Sequence, residues 1–349
     1  MNSLILKGKN LTFDALLSNY KINDVSFTLL KATFLEMVGD SFDDNRDFIS
    51  MHLVSDTGFL TNAGLLLCDQ GLLLQSKVVC TRWNGITKGN LNEDAIDDKE
   101  YKGSIISLLN NADTFIRNNS KSSWVVDGMQ RSESVDYPIR ARREAIVNAL
   151  IHRDYQIIGS EIHIDMFDDR MEIVSPGGMV DGSQIQNLEI GKVPSMRRNA
   201  IISDVFSRLK YMDRRGSGLN RILESYKDID SKPIFISDES SFTVIFPNIG
   251  YYKKTGDKIS ISKSGNNIIS DRDFFLLKIY KNDKVNVRKK TLENIVRLFD
   301  VYGFEKEFSR NDIMSLLELK ESRSSEIISD LLELNLIKKI ESSNYIFIK

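Results

Sequence analysis

Glu144 and Asn148 stand four residues apart in the stretch from Ala141 to Tyr155, which reads as a helix with an apolar side. Side chains at i and i+4 are neighbours on a helix, so this carboxylate and this amide point into the same space. A carboxylate that polarises water, beside an amide oxygen that ligates magnesium, is half of a nucleotide site. The plain alternative is a solvated polar face on an amphipathic helix. What separates the two is whether phosphate-cradling glycines follow. Gly177 and Gly178 come directly after a strand pattern that ends in Ser175-Pro176, and Gly216-Ser217-Gly218 opens a second helix at Leu219. Glycines ahead of a helix N-terminus expose backbone N–H groups where the helix dipole favours an anion. Arg198 and Arg215, beside Arg197 and Arg214, add forked donors suited to phosphate oxygens.

The elements that must hold these groups follow from hydrophobic period. Tyr137-Pro138 introduces the Glu144 helix, with proline near its first turn. Alternation over 161–167, the turn Asp168-Asp169-Arg170, and Met171 to Val174 predict a hairpin leading into Ser175. Residues 180–196 read as a long flexible loop, a helix begins at Arg197-Arg198-Asn199, and Ser241 to Pro247 is an alternating strand stopped by proline. Upstream, Lys9 to Asp14 reads as a strand or turn leading into a helix capped by Thr12 or Asp14. Residues 85–101 read as a polar, acidic loop or crossover, and 103–118 as an amphipathic helix. Residues 250–270 are a linker rich in Lys, Ser, Asn and Gly. Helices are expected at Asp273–Tyr280 and Leu292–Phe299. After them come a helix capped by Ser309, a second from Ser322 to Leu334, and strands near Leu336–Ile340 and Tyr345–Ile348. Helix, turn, helix and hairpin in that order is the winged-helix pattern. Its second helix offers Ser322, Arg323, Ser324 and Ser325 to phosphates and base edges; packing or dimerisation is the other use of such a module.

Composition bounds the partners. At 349 residues, two or three compact units are expected. A net charge of -2 excludes a global attraction to nucleic acid, so DNA contact must come from a local surface. Cys68 and Cys80 lie in apolar runs as free thiols, which with the absence of a leader pattern points to a cytoplasmic protein. No apolar run reaches the roughly 20 residues of a membrane span, and three histidines without a paired-cysteine motif exclude a zinc site of the usual kind. His152-Arg153-Asp154 spells the protein-kinase catalytic triplet, but Gly159 stands where that pattern requires Asn.

With these motifs in place the chain resembles the GHKL ATPase superfamily of gyrase and the histidine kinases. Within it the chain looks like the branch called "RecG-like C-terminal" or Schlafen-type ATP-binding transcriptional regulators. The resemblance rests on Glu144 to Asn148, His152-Arg153-Asp154-Tyr155, Phe167 to Arg170, Ser175 to Gly178, Arg198-Asn199 and Arg215 to Gly218, with Leu60 to Leu67 matching the branch's middle segment. It implies an α/β fold: a GHKL (Bergerat-type) sandwich over 126–249, an N-terminal α/β segment over 1–125 packed on it, the linker, and a winged helix over 271–349. The Schlafen-type domain with which this branch usually begins is expected to be missing. The implied cofactors are ATP and Mg, with Glu144 as the general base and Asn148 as the metal ligand. Ser175, Gly177, Gly178, Arg198, Arg215, Gly216, Ser217 and Gly218 surround the nucleotide. The implied protein is a nucleotide- and DNA-binding regulator with no membrane contact; a homodimer is compatible with it, and weak Mg-dependent hydrolysis is left open. Where the superfamily has an adenine-reading Asp in its first glycine box, this chain has Ser175, which weakens or alters base preference. Two rivals stay open: a non-hydrolysing GHKL scaffold for dimerisation and DNA contact, and an ATP-driven enzyme acting on DNA. Against the second, the chain has no Gly-Lys-Ser/Thr phosphate loop.

Overall fold

The computed structural model describes residues 11–88, 94–120, 122–127, 130–213, 218–255, 275, 279, 289–304, 306–340 and 344–348. These fall into two compact units, one up to residue 255 and one from residue 275 onward. In chain order the first unit holds β1 (Leu17–Lys21), α1 (Thr28–Val38), α2 (Asp44–Ser50), β2 (Phe59–Thr61), α3 (Asn62–Leu67), β3 (Lys77–Trp83) and β4 (Ala95–Lys102). It continues with α4 (Ile105–Asn118), β5 (Ser122–Asp127), β6 (Gln130–Val135), α5 (Ile139–His152), β7 (Ile162–Met166) and β8 (Arg170–Pro176). It closes with α6 (Ala200–Arg208), α7 (Gly218–Glu224), β9 (Ile234–Ser237), β10 (Ser241–Pro247) and α8 (Ile249–Thr255).

The unit is a mixed α/β structure on a six-stranded sheet, ordered β4-β3-β7-β8-β10-β9. Every neighbouring pair is antiparallel except β3 and β7, which run parallel and are joined by the long crossover that contains α4 and α5. The sheet takes strands from both sides of residue 126. Alternation puts Val78, Cys80, Ile162, Ile164, Ile173, Val244 and Phe246 into one core with the helices. On α4 the expected stripe is buried, from Ile105 through Leu108, Leu109 and Ala112 to Phe115 and Ile116, and Ser104 caps the helix by accepting from the Ile106 N–H at 3.3 Å. Both cysteines are free and buried.

Three local expectations change. Residues 95–102 are not loop but the edge strand β4, whose acidic and basic side chains are mostly exposed; a charged edge is how an antiparallel sheet avoids further pairing. Asp14 does not cap a helix of its own. It sits fully buried in a short 3-10 turn, and its carboxylate accepts from the Ile201 N–H (2.7 Å) and the Ile202 N–H (3.1 Å), capping α6 from 187 residues away. Residues 180–196 are pinned rather than loose. Two 3-10 turns bury Ile185 and Ile190, and the Ile185 N–H donates to Ser237 Oγ at 2.9 Å.

The second unit contains α9 (Lys289–Tyr302), α10 (Arg310–Leu317), α11 (Glu321–Glu333) and the hairpin β11 (Ile337–Lys339) and β12 (Tyr345–Phe347). Ser309 caps α10 as expected, and Asp312 completes a reciprocal capping box with it. Phe275, Phe299, Phe308 and Phe347 pack as an aromatic core, with the Phe275 and Phe299 rings stacked at 3.8 Å. Of the helix expected over 273–280, only Phe275 and Ile279 are described, both buried and helical.

Candidate functional site

Helix α5 supplies one wall of a cleft that opens to solvent. Glu144, Asn148 and His152 line it at i, i+4 and i+8, one stripe along the helix. The floor is made by β8 and β10, where Ile173 opposes Val244 and Ser175 opposes Phe242. The turn Gly177-Gly178 with the residues up to Asp181, the segment from Ile190 to Arg198, Met212 and Asp213, and the start of α7 at Gly218 and Leu219 add to the lining.

Glu144 is not on a solvated face. It is 8% exposed, on a helix buried nearly all round. Burial raises its pKa, and the Arg221 guanidinium offsets part of that rise. Arg221 donates to Glu144 at 3.1 Å and to Asp213 at 2.8 Å, so the carboxylate is held in an ion pair. Gly218 lies directly against the pair: a Cβ there would come within 2.6 Å of Glu144 Oε1 and 3.1 Å of Asn148 Nδ2. The residues picked for a carboxylate–amide pair and for a glycine helix start are therefore neighbours in space. Arg215, Gly216 and Ser217 lie outside the described residues.

The other glycines are explained by contacts within the protein. Gly177 has φ +99°, and its Cβ would meet the Asp154 Cβ at 2.7 Å; at Gly178 a Cβ would stand 1.9 Å from the Asp238 carbonyl oxygen. Arg198 straps this turn to the end of α5, donating to Asp154 at 2.8 Å and to the Gly178 carbonyl at 2.6 Å. Asn199 donates to the Ile151 and Arg153 carbonyls, both at 2.9 Å, satisfying orphan acceptors at the helix C-terminus. Ser175 is buried, and its hydroxyl proton goes to the Ala149 carbonyl at 2.8 Å. His152 faces the cleft with its pKa pushed down to about 4 by burial, the Arg198 charge adding to the effect. Sequence reasoning passed over Arg221 and His152 as site residues. The signal for His152 was the same four-residue step that linked Glu144 to Asn148; for Arg221 it was the position three residues after Gly218, on the first turn of α7.

On α11, Ser322 is exposed. Arg323 pairs with Glu326 and donates to Thr291 Oγ1 at 2.7 Å, and the Ser325 hydroxyl donates to the Glu321 carbonyl at 2.9 Å. Ser324 is corrected: it is fully buried, with its hydroxyl on the Glu321 carbonyl at 2.8 Å, so it belongs to the packed side of the helix and reaches no base edge. Among the described residues no group of three His, Cys, Asp or Glu is placed to hold a metal, and no helix is long and apolar enough to cross a membrane.

Residues 159–246 match a family model described as "Putative ATP-dependent DNA helicase recG C-terminal". That segment is ATPase-like. It runs from the approach to β7 through β10 and so contains the cleft floor, the glycine turn and α7, while α5 lies just before it. No curated protein matches the sequence. The chain is similar in fold to the crystal structure of the DIP2311 protein from Corynebacterium diphtheriae, with a TM-score of 0.59 and 14% identity over 97% of this chain. The chain spans 64% of the length of that protein.

Proposed function

We propose that the cleft binds ATP with magnesium, that the first unit is a GHKL-type domain, and that its nucleotide state governs DNA binding by a winged helix formed by the second unit. The observation that carries this reading is the convergence of Glu144, Asn148 and Gly218 on one side of an open cleft. The donor set fits a magnesium ion that arrives with the triphosphate: Asn148 offers a neutral oxygen ligand beside Glu144, and among the described residues no cluster of His, Cys, Asp or Glu would hold the metal alone. When bound, the ion supplies neutralisation of phosphate charge. Glu144, with its raised pKa, is the group that takes a proton from water, and Gly218 lets the α7 backbone approach the phosphates.

Calorimetry with magnesium and ATP on the wild type and on Asn148→Ala tests this. Binding by the wild type that Asn148→Ala abolishes supports it, and absence of heat from both refutes it. A salt-sensitive gel shift lost in Arg323→Glu supports DNA reading by α11; an unchanged shift removes that helix from the interface. A second reading is favoured by the ion pair on Glu144: a non-hydrolysing scaffold, whose wild type binds nucleotide without turnover. Phosphate release abolished by Glu144→Ala eliminates it. The "ATP-dependent DNA helicase" wording of the matched family model motivates a third, an enzyme acting on DNA, which a strand-separation assay decides.

A further inference from the structure

We infer that His152 is the base-reading residue of the cleft and makes it a purine-triphosphate site of relaxed selectivity, an inference that rests on the nucleotide reading above. The position follows from the helix. His152 lies eight residues beyond Glu144, about 12 Å along α5 at the helical rise, with Asn148 between them on the same face. Glu144 and Gly218 mark the end where phosphates fit, so His152 stands where the base would lie. The sheet floor that faces α5 is lined by Ile173, Val244 and Phe242, apolar surface that a flat aromatic base can cover.

Two polar side chains near the end of α5 are already engaged within the protein. The Ser175 hydroxyl donates its one hydrogen bond to the Ala149 carbonyl, which leaves it only an acceptor. Arg198 has both terminal nitrogens on Asp154 and Gly178. The imidazole of His152 lines the cleft, and its depressed pKa keeps it neutral at physiological pH, one nitrogen protonated and the other with a free lone pair. A carboxylate in this role only accepts, which selects the adenine amino group. A neutral imidazole accepts from that amino group in one tautomer or ring orientation and donates to the guanine carbonyl in the other.

The test is calorimetric titration of the full-length protein with Mg-ATP, Mg-GTP and Mg-tripolyphosphate. The wild type is expected to bind ATP and GTP within about tenfold of each other. His152→Phe, which keeps a ring but removes donor and acceptor, should weaken both by about tenfold and leave tripolyphosphate within twofold. His152→Gln, again both donor and acceptor, should recover most of the loss. Equal losses for tripolyphosphate and ATP, or no loss of ATP in His152→Phe, overturn the assignment, as does a wild-type preference for ATP above a hundredfold. A wild type that binds none of the three overturns the nucleotide reading itself and this inference with it. Binding of tripolyphosphate with no gain from the base overturns this inference alone.

Discussion

Removing Arg221 isolates the feature that most constrains Glu144. The ion pair between them is largely withdrawn from water, with side chains 15% and 9% exposed. Breaking such a pair by deleting one partner costs about 3 kcal/mol or more, because the surviving charge stays buried without compensation. Arg221→Met keeps most of the apolar stem and removes the guanidinium. The second contact of Arg221, to the mostly exposed Asp213, contributes little and leaves no buried charge behind. The expected loss at pH 8 is therefore about 3 kcal/mol, nearly all of it from Glu144.

The pH dependence identifies the cause. Without Arg221, the pKa of Glu144, already raised from its ordinary 4.5 by burial, rises further. The folded variant then keeps a proton that the unfolded chain releases above 4.5. Its stability falls as pH climbs from 4.5 through the raised folded value and is level beyond it. Below 4.5 Glu144 is protonated in both proteins, the ion pair is gone from the wild type as well, and the difference shrinks. Urea unfolding followed by tryptophan fluorescence suits the measurement, since both tryptophans, Trp83 and Trp124, belong to the first unit. Glu144→Gln and the double variant complete a cycle whose coupling should reach about 2 kcal/mol at pH 8. A variant loss that is the same at pH 4 and pH 8, or a coupling below about 0.5 kcal/mol, refutes the account.

Asp14→Ala should destabilise the first unit by about 1–2 kcal/mol through loss of the α6 cap, while Asp14→Asn, which keeps an acceptor oxygen, should lose less; chemical denaturation midpoints decide, and equal midpoints for the two discard the cap. Gly177→Ala should lower the melting temperature measured by circular dichroism, since the alanine must adopt φ +99° against Asp154, and an unchanged melting curve contradicts the turn geometry. His152 is neutral when folded down to about pH 4 but titrates near 6.5 when unfolded, so stability is complete above 6.5 and is lost as pH falls towards 4, by up to about 3 kcal/mol. His152→Phe should flatten that part of the stability–pH curve; an identical curve removes the burial argument.

Local pattern made most of the elements legible. The stripe of α4, the hairpin of β7 and β8, the proline-stopped β10 and the capped α10 each follow from a period or a cap that neighbouring residues fix. The misjudged elements were those whose stability comes from elsewhere. Strand β4 is acidic and polar, with only Ile96 and Tyr101 of strand-favouring type. It forms because β3 offers an unpaired edge. Residues 180–196 look loose because their anchors, Ile185 and Ile190, need β9 and the core to bury them.

The same division runs through the site. The step of four residues along α5 is local, so Glu144 and Asn148 were found together, and His152 was one further step away. The partners of these groups are not local. Arg221 reaches Glu144 across 77 residues, Arg198 reaches Asp154 across 44, and the Asp14 cap reaches α6 across 187. Each links a buried or half-buried charge to a counter-charge or to backbone N–H groups, and burial is what makes such a link worth several times a surface contact. A residue's type and spacing therefore announce what it is able to do, while its buried partner decides the state in which it is held. Glu144 shows the consequence. Its position on α5 suits it to take a proton, its burial raises its pKa towards that task, and Arg221 opposes both by holding it ionised and occupied. On the proposed nucleotide reading, turnover would require Arg221 to shift from Glu144, and a γ-phosphate at the start of α7 would offer a bidentate partner to the guanidinium that Glu144 and Asp213 now share. Phosphate release by Arg221→Met should then separate two outcomes: a faster single turnover if the ion pair only restrains Glu144, or its loss if Arg221 is also needed at the phosphate.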